Sequence, residues 1–185
     1  MIIGVTGGIG SGKSYVCDIL NRRHNIPVIN TDIVAKTQIM CDETVMHQVI
    51  DTFGKDSYVD GKINIPKFSK LLFNNKEELN KMNNITLPPL IDYVKNFCVG
   101  KKDIVIESAA LLNTDLYNLM DFVVLVFADM EFRMKALKIR YNNDMELITS
   151  RINAQSFNLN MVDYVLQNGD DIEEQVKKLA EKINI

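Results

Sequence analysis

Residues Gly7 to Ser14 read GGIGSGKS, a complete G-x-x-x-x-G-K-[ST] string between the apolar run Ile2-Ile3-Gly4-Val5 and a helical pattern. A strand, a glycine-rich turn and a helix in that order leave few folds open. The glycines let the backbone turn tightly with its N–H groups pointing inward, and the helix N-terminus closes a concave anion site. Lys13 then reaches β- and γ-phosphates, and the Ser14 hydroxyl coordinates Mg²⁺. A ligand-free Gly-rich turn is the plain alternative. Against it, a Lys-Ser pair follows the last glycine, and five of the nine glycines fall before residue 13. The chain is therefore expected to handle ATP or GTP, with Gly8, Gly10, Ser11, Gly12, Lys13, Ser14 and Tyr15 around the nucleotide.

Composition narrows the rest. With 185 residues and 46% apolar content the chain can bury one sizeable core. A net charge of −3 gives no general basic field for nucleic acid, so the expected anions are small ones. The longest strongly apolar run, Phe122 to Ala128, is far too short to span a membrane, and the start lacks the features of a secretory signal. A cytoplasmic protein is expected. Cys17, Cys41 and Cys98 are odd in number and widely spaced, which reads as reduced thiols rather than a disulfide or metal framework.

Five β-rich runs alternate with helical patterns: Ile2 to Thr6, Pro27 to Asn30, Asp103 to Glu107, Phe122 to Phe127 and Tyr164 to Gln167. That alternation predicts an α/β fold, a parallel sheet covered on both faces. The continuously apolar Phe122 to Phe127 reads as a central strand buried on both sides. Two helical stretches interrupt the plan. Residues 31–102 contain helical patterns at Val45 to Phe53, Pro66 to Phe73 and Lys76 to Phe97, with no convincing central strand, and are read as a substrate lobe. Residues Glu131 to Phe157 hold three of the five arginines and are read as a mobile lid, the alternative being two amphipathic helices with solvated cationic faces.

Phosphoryl transfer needs phosphates held in line, charge neutralised and an acceptor hydroxyl relieved of its proton. Asp32, at the carboxyl end of the second strand, is the candidate general base, with a helix N-cap as its compatible alternative. Glu107 closes the third strand as an acid that positions Mg²⁺ does, although many strands end in an acid for solubility. Arg133 and Arg140 lie seven residues apart, two turns on one helix face, so both could point at one phosphate. Asn168-Gly169 after the fifth strand fits a tight turn and could also border an adenine pocket. No N-K-x-D string is present, which disfavours guanine.

Together these segments resemble the dephospho-CoA kinase family along nearly the whole chain. The resemblance rests on Gly4-Val5-Thr6-Gly7-Gly8-Ile9-Gly10-Ser11-Gly12-Lys13-Ser14, Asp32, Phe53-Gly54 with Asp60-Gly61, and Ile85-Thr86-Leu87-Pro88. It continues through Glu107-Ser108-Ala109-Ala110-Leu111-Leu112, Arg140, Arg151-Ile152-Asn153-Ala154-Gln155 and Asp163 to Gly169. Leu87 stands where the family has His, Asn113 where it has Glu, Ala136 where it has a lid Arg, and Tyr15 where Thr is common.

The resemblance implies a three-layer P-loop core of residues 1–30, 103–128 and 158–185, a helical acceptor lobe over 31–102 and a lid over 129–157. It implies ATP with Mg²⁺ as donor and dephospho-CoA as acceptor, phosphorylated on its ribose 3′-hydroxyl. Lys13, Asp32 and Arg140 are the implied catalytic residues; Asp32, Leu87, Pro88 and Leu111 face the acceptor; Ser14 and Glu107 serve the metal; Asn168 joins the loop residues at ATP. Another small-molecule kinase, or a non-catalytic nucleotide-binding relative, remains open at this point.

Overall fold

The computed structural model describes residues 1–72, 75–153, 155, 157–169 and 171–185. Strands run at Ile2–Gly7 (β1), Val28–Asn30 (β2), Tyr58–Val59 (β3), Lys62–Ile63 (β4), Ile104–Glu107 (β5), Phe122–Phe127 (β6) and Tyr164–Gln167 (β7). Helices run at Lys13–His24 (α1), Thr31–Thr37 (α2), Glu43–Phe53 (α3), Ile65–Leu71 (α4), Lys76–Cys98 (α5), Met130–Arg140 (α6), Met145–Asn153 (α7) and Ile172–Ile183 (α8). The expected helix Pro66 to Phe73 is thus Ile65–Leu71, and Phe73 itself lies outside the described residues, as does Ala154. The chain divides into two compact units, 1–30 with 100–185, and 31–99.

The first unit is built on a five-stranded, all-parallel sheet in the order β2-β5-β1-β6-β7. Both faces are covered at the interior strands β5, β1 and β6, which is why these are apolar on both sides. Alternate residues of β1 show the division. Ile3 and Val5 join the core with Val16, Ile19 and Leu20 of α1 and Val176, Leu179 and Ile183 of α8. Gly4 faces the other way, against Leu111 and Met120. Helix α8 repeats its buried residues at Ile172, Val176, Leu179, Ala180 and Ile183, an amphipathic spacing that lays one stripe on the sheet. Each fully buried Ile or Leu in this stripe contributes roughly 1.5–3 kcal/mol.

The edges are finished by polar groups. Asp121 and Asp163 accept from the N–H groups of Ile2 and Val123, each at 2.7 Å, satisfying donors in the first residue of β1 and the second of β6. Arg23 sits in the last turn of α1, where a cation complements the helix macrodipole, and pairs with Glu173 of α8. At the other edge, Val5 and Asn30 both register with Glu107, levelling the carboxyl ends of β1, β2 and β5. Open α/β sheets bind ligands at that edge, where the chain switches direction about its first strand.

The second unit packs α2 to α5 around Val45, Val49, Phe68, Met82, Leu90 and Val94. Phe53 meets Phe68 edge to face at 5.3 Å. Asp42 caps α3 by accepting from Thr44 and Val45 N–H. Pro88 and Pro89 lie inside α5, where each removes a ladder donor. One feature departs from expectation: β3 and β4 form a small antiparallel hairpin within the stretch read as helical. Asp60 (φ 50°) and Gly61 (φ 74°) make its two-residue turn, and positive φ at both positions is what such a hairpin requires.

Candidate active site

The turn after β1 is held in shape by bonds local and distant. Ser11 N–H donates to the Gly8 carbonyl, and α1 starts at Lys13 with Gly12 as its N-cap. Gly12 sits at φ 88°, a region costly for any residue with a Cβ, and a Cβ there would also run into Asn168 Nδ2. That amide instead donates to the Ser11 carbonyl at 2.8 Å, from a position 7% exposed. The tight-turn reading of Asn168 misses this: its side chain is spent on the loop.

Within the loop, Lys13 Nζ donates to the carbonyls of Gly7 and Gly8 at 3.0 and 3.2 Å. The ammonium therefore lies over the concave side of the turn. Ser14 Oγ donates to Glu107 Oε1 at 2.6 Å, a charge-assisted bond that joins the start of α1 to the end of β5. Glu107 is 6% exposed. Sheet register brings these two residues together although they stand 93 positions apart in the chain.

A cavity of about 440 Å³ opens beside the loop, lined by Gly10, Gly12, Lys13, Ser14 and Tyr15. Phe132, Ala136 and Arg140, spaced four residues apart on one face of α6, line it as well, and Asn168, Gly169 and Ile172 close it. Arg140 thus shares a cavity with Lys13 and Ser14. Arg133 does not join it: its Nε donates to the Ile9 carbonyl at 2.9 Å on the loop, so the two arginines of one face reach different places. Burial draws the Arg133 guanidinium below its ordinary pKa. Arg140 and Arg151 both lie over the Tyr141 ring, at 5.7 and 5.3 Å from its centre.

The remaining candidates sit on other elements. Strand β2 ends at Asn30, so Asp32 is the second residue of α2 and an acid of its first turn rather than the N-cap. Its charge there complements the helix dipole. Leu111 is fully buried against Gly4, which makes its side chain part of the core in this conformation. Leu87 and Pro88 are in the middle of α5, the first half-buried and the second exposed. Gln155, whose Oε1 accepts from Ile9 N–H at 2.7 Å, is a loop partner absent from the sequence-based set of site residues. Its only signal in the sequence is its place in the R-I-x-x-Q segment.

Ser14 Oγ and Glu107 Oε1 are hard oxygen donors, the kind that suit Mg²⁺. Among the described residues no group of three or more His, Cys, Asp or Glu side chains could cage an ion. Mg²⁺ is usually held by one or two protein oxygens, water and substrate phosphates. Ser11 Oγ, 1% exposed and without a hydrogen-bond partner among the described residues, adds an orphaned polar atom inside the loop. No described helix is long and apolar enough to cross a membrane.

The family model for dephospho-CoA kinase matches residues 1–174. The dephospho-CoA kinase of Listeria innocua is 30% identical over 96% of this chain and 92% of its own length. That of Clostridium tetani is 32% identical over 98% and 86%. The crystal structure of TT1252 from Thermus thermophilus superposes with a TM-score of 0.82 over 100% of this chain and 96% of its own, at 23% identity, and so shares the fold. By a match that runs from β1 into α8, the chain belongs to the dephospho-CoA kinase family.

Proposed function

We propose that this chain transfers the γ-phosphoryl group of ATP to the ribose 3′-hydroxyl of dephospho-CoA, giving coenzyme A and ADP. What carries the reading is the family match over residues 1–174 on a chain whose phosphate loop, Glu107 and Arg140 gather at one end of the sheet. In the reaction the 3′-oxygen bonds to the γ-phosphorus as the bond from phosphorus to the β–γ bridging oxygen breaks. ADP leaves with that electron pair, and the hydroxyl proton passes to the Asp32 carboxylate.

The protein's part in such a reaction is positioning and electrostatics. Lys13 and the loop amides hold the β- and γ-phosphates, and Arg140 neutralises charge on the transferring group. A divalent ion, Mg²⁺, supplies further neutralisation when bound. Ser14 Oγ and Glu107 would hold it, the carboxylate through water. Residues 129–157 act as a lid over the donor, keeping water from competing as acceptor. Residues 31–102, with Leu87 and Pro88, receive the acceptor. Leu87 and Asn113, where the family has His and Glu, bear on acceptor affinity before they bear on chemistry. The net charge of −3 supplies no general basic field for nucleic acid, and the chain is read as a cytoplasmic protein without a membrane partner.

Incubation with Mg-ATP and dephospho-CoA tests the reading. The acceptor should gain the mass of one phosphate as ADP appears. ATP binding without transfer would identify a non-catalytic relative, and transfer to a different hydroxyl compound in an acceptor panel would identify another kinase.

A further inference from the structure

Arg133 and Gln155 take hold of one residue from two sides. Arg133 Nε donates to the Ile9 carbonyl at 2.9 Å, and Gln155 Oε1 accepts from the Ile9 N–H at 2.7 Å. Both polar backbone groups of Ile9 are thus satisfied by side chains 124 and 146 residues away, from α6 and from the segment after α7. Gly8 admits this arrangement. A Cβ there would lie 2.8 Å from Arg133 Cζ and Nη2, so the guanidinium occupies the space that a side chain at position 8 would fill. Ile9 stands among Gly7, Gly8, Gly10 and Gly12, residues with weak intrinsic preference for any one backbone shape. A loop of that composition needs outside contacts to stay in one conformation, and the Asn168 bond to the Ser11 carbonyl holds its next turn in the same way.

We infer that Arg133 and Gln155 are positioning residues, a clip on the Ile9 peptide that keeps the phosphate loop in its anion-receiving shape before nucleotide arrives. The inference rests on the proposed function, in that the loop's ligand is taken to be a nucleoside di- or triphosphate. Two consequences separate a clip from a direct phosphate contact. The clip acts on the loop rather than on the γ-phosphate, so its loss weakens ADP and ATP alike. It uses arginine as an N–H donor rather than as a cation, so a neutral donor of the same reach replaces it.

The test is titration of ADP and of Mg-ATP into the full chain, with kcat and KM for ATP measured alongside. Glutamine carries an N–H₂ donor as many bonds from Cα as arginine's Nε, whereas methionine carries none. Arg133→Met and Gln155→Met should each raise the dissociation constants of both nucleotides by about fivefold to tenfold, the usual worth of one lost hydrogen bond. The ATP-to-ADP affinity ratio should stay at its parental value, and the loss should fall on KM more than on kcat. Arg133→Gln should bind both nucleotides within about twofold of the parent.

An Arg133→Gln variant as weak as Arg133→Met, or a loss confined to ATP, would place the charge on the γ-phosphate and overturn the clip. Unchanged ADP affinity in Gln155→Met would overturn it too. Thermal melts check that each variant is folded. If Arg133→Met is not, Arg133→Gln and Gln155→Met decide between them. A parent that binds neither nucleotide refutes the proposed function, whereas a parent and variants that bind both equally refute the clip alone.

Discussion

Replacing Gly12 by alanine separates two costs that glycine avoids at the start of α1. The first is conformational: φ is 88°, and holding an L-residue in the left-handed region costs roughly 1–2 kcal/mol. The second is steric, because the added methyl meets Asn168 Nδ2 and displaces it from the Ser11 carbonyl. A buried acceptor left without its donor costs about 1–3 kcal/mol more. Gly100 provides the control. It has φ 74°, and a methyl group there would meet nothing within 4 Å among the described residues, so Gly100→Ala carries the first cost without the second. Urea denaturation of both variants should therefore place Gly12→Ala below Gly100→Ala by about 1–3 kcal/mol. Asn168→Ala should lose a similar amount, and the Gly12→Ala/Asn168→Ala pair should be less damaging than the sum, since both remove one bond. If Gly12→Ala proved no worse than Gly100→Ala, the account of Asn168 as the loop's buttress would be refuted.

The other predictions concern chemistry and reactivity. Asp32→Asn should lower turnover by roughly 10²-fold while sparing ATP affinity, the usual worth of a positioned base, and near-parental turnover would contradict that role. Lys13→Ala should weaken ATP binding and turnover together, which an ATP titration beside steady-state rates would read. Cys17 is buried, and desolvation first, then the charge of Glu107, pushes its thiol far above the ordinary value of 9.0. The thiol thus stays protonated well past pH 9, so maleimide labelling at pH 8 followed by mass spectrometry should modify exposed Cys41 and leave Cys17 intact.

The interior of the sheet is legible in the sequence because burial on both faces leaves strands such as β6 as unbroken apolar runs, whereas the edge strand β7, exposed at Val165 and Gln167, shows through its β-branched and aromatic residues. Tyr164 to Gln167 and Phe122 to Phe127 can be read to the residue. Hairpin β3–β4 cannot, since two residues per strand are too few to show alternation. Its Asp60-Gly61 turn is the only available signal, and the same pair doubles as a family landmark. Glu107 can be found because a strand end is locatable from sequence and its register with Val5 follows from the topology. The partners of Ile9 and Ser11 are out of reach for the opposite reason. Side chains 124 to 157 residues away bond to backbone atoms, and backbone atoms leave no residue type in the sequence to point back. Helical spacing correctly puts Arg133 and Arg140 on one face, but it says nothing of how far along that face the loop extends. Arg133 meets the loop where Arg140, two turns on, meets the cavity.

The central claim is a phosphoryl transfer to one particular hydroxyl, and ³¹P NMR of a reaction with Mg-ATP and dephospho-CoA observes that bond directly. The account predicts a new monoester resonance on the ribose 3′-oxygen that grows in step with ADP and is absent when Lys13 is alanine. A reaction mixture holding only ATP and unchanged dephospho-CoA, with the nucleotide demonstrably bound, would contradict it.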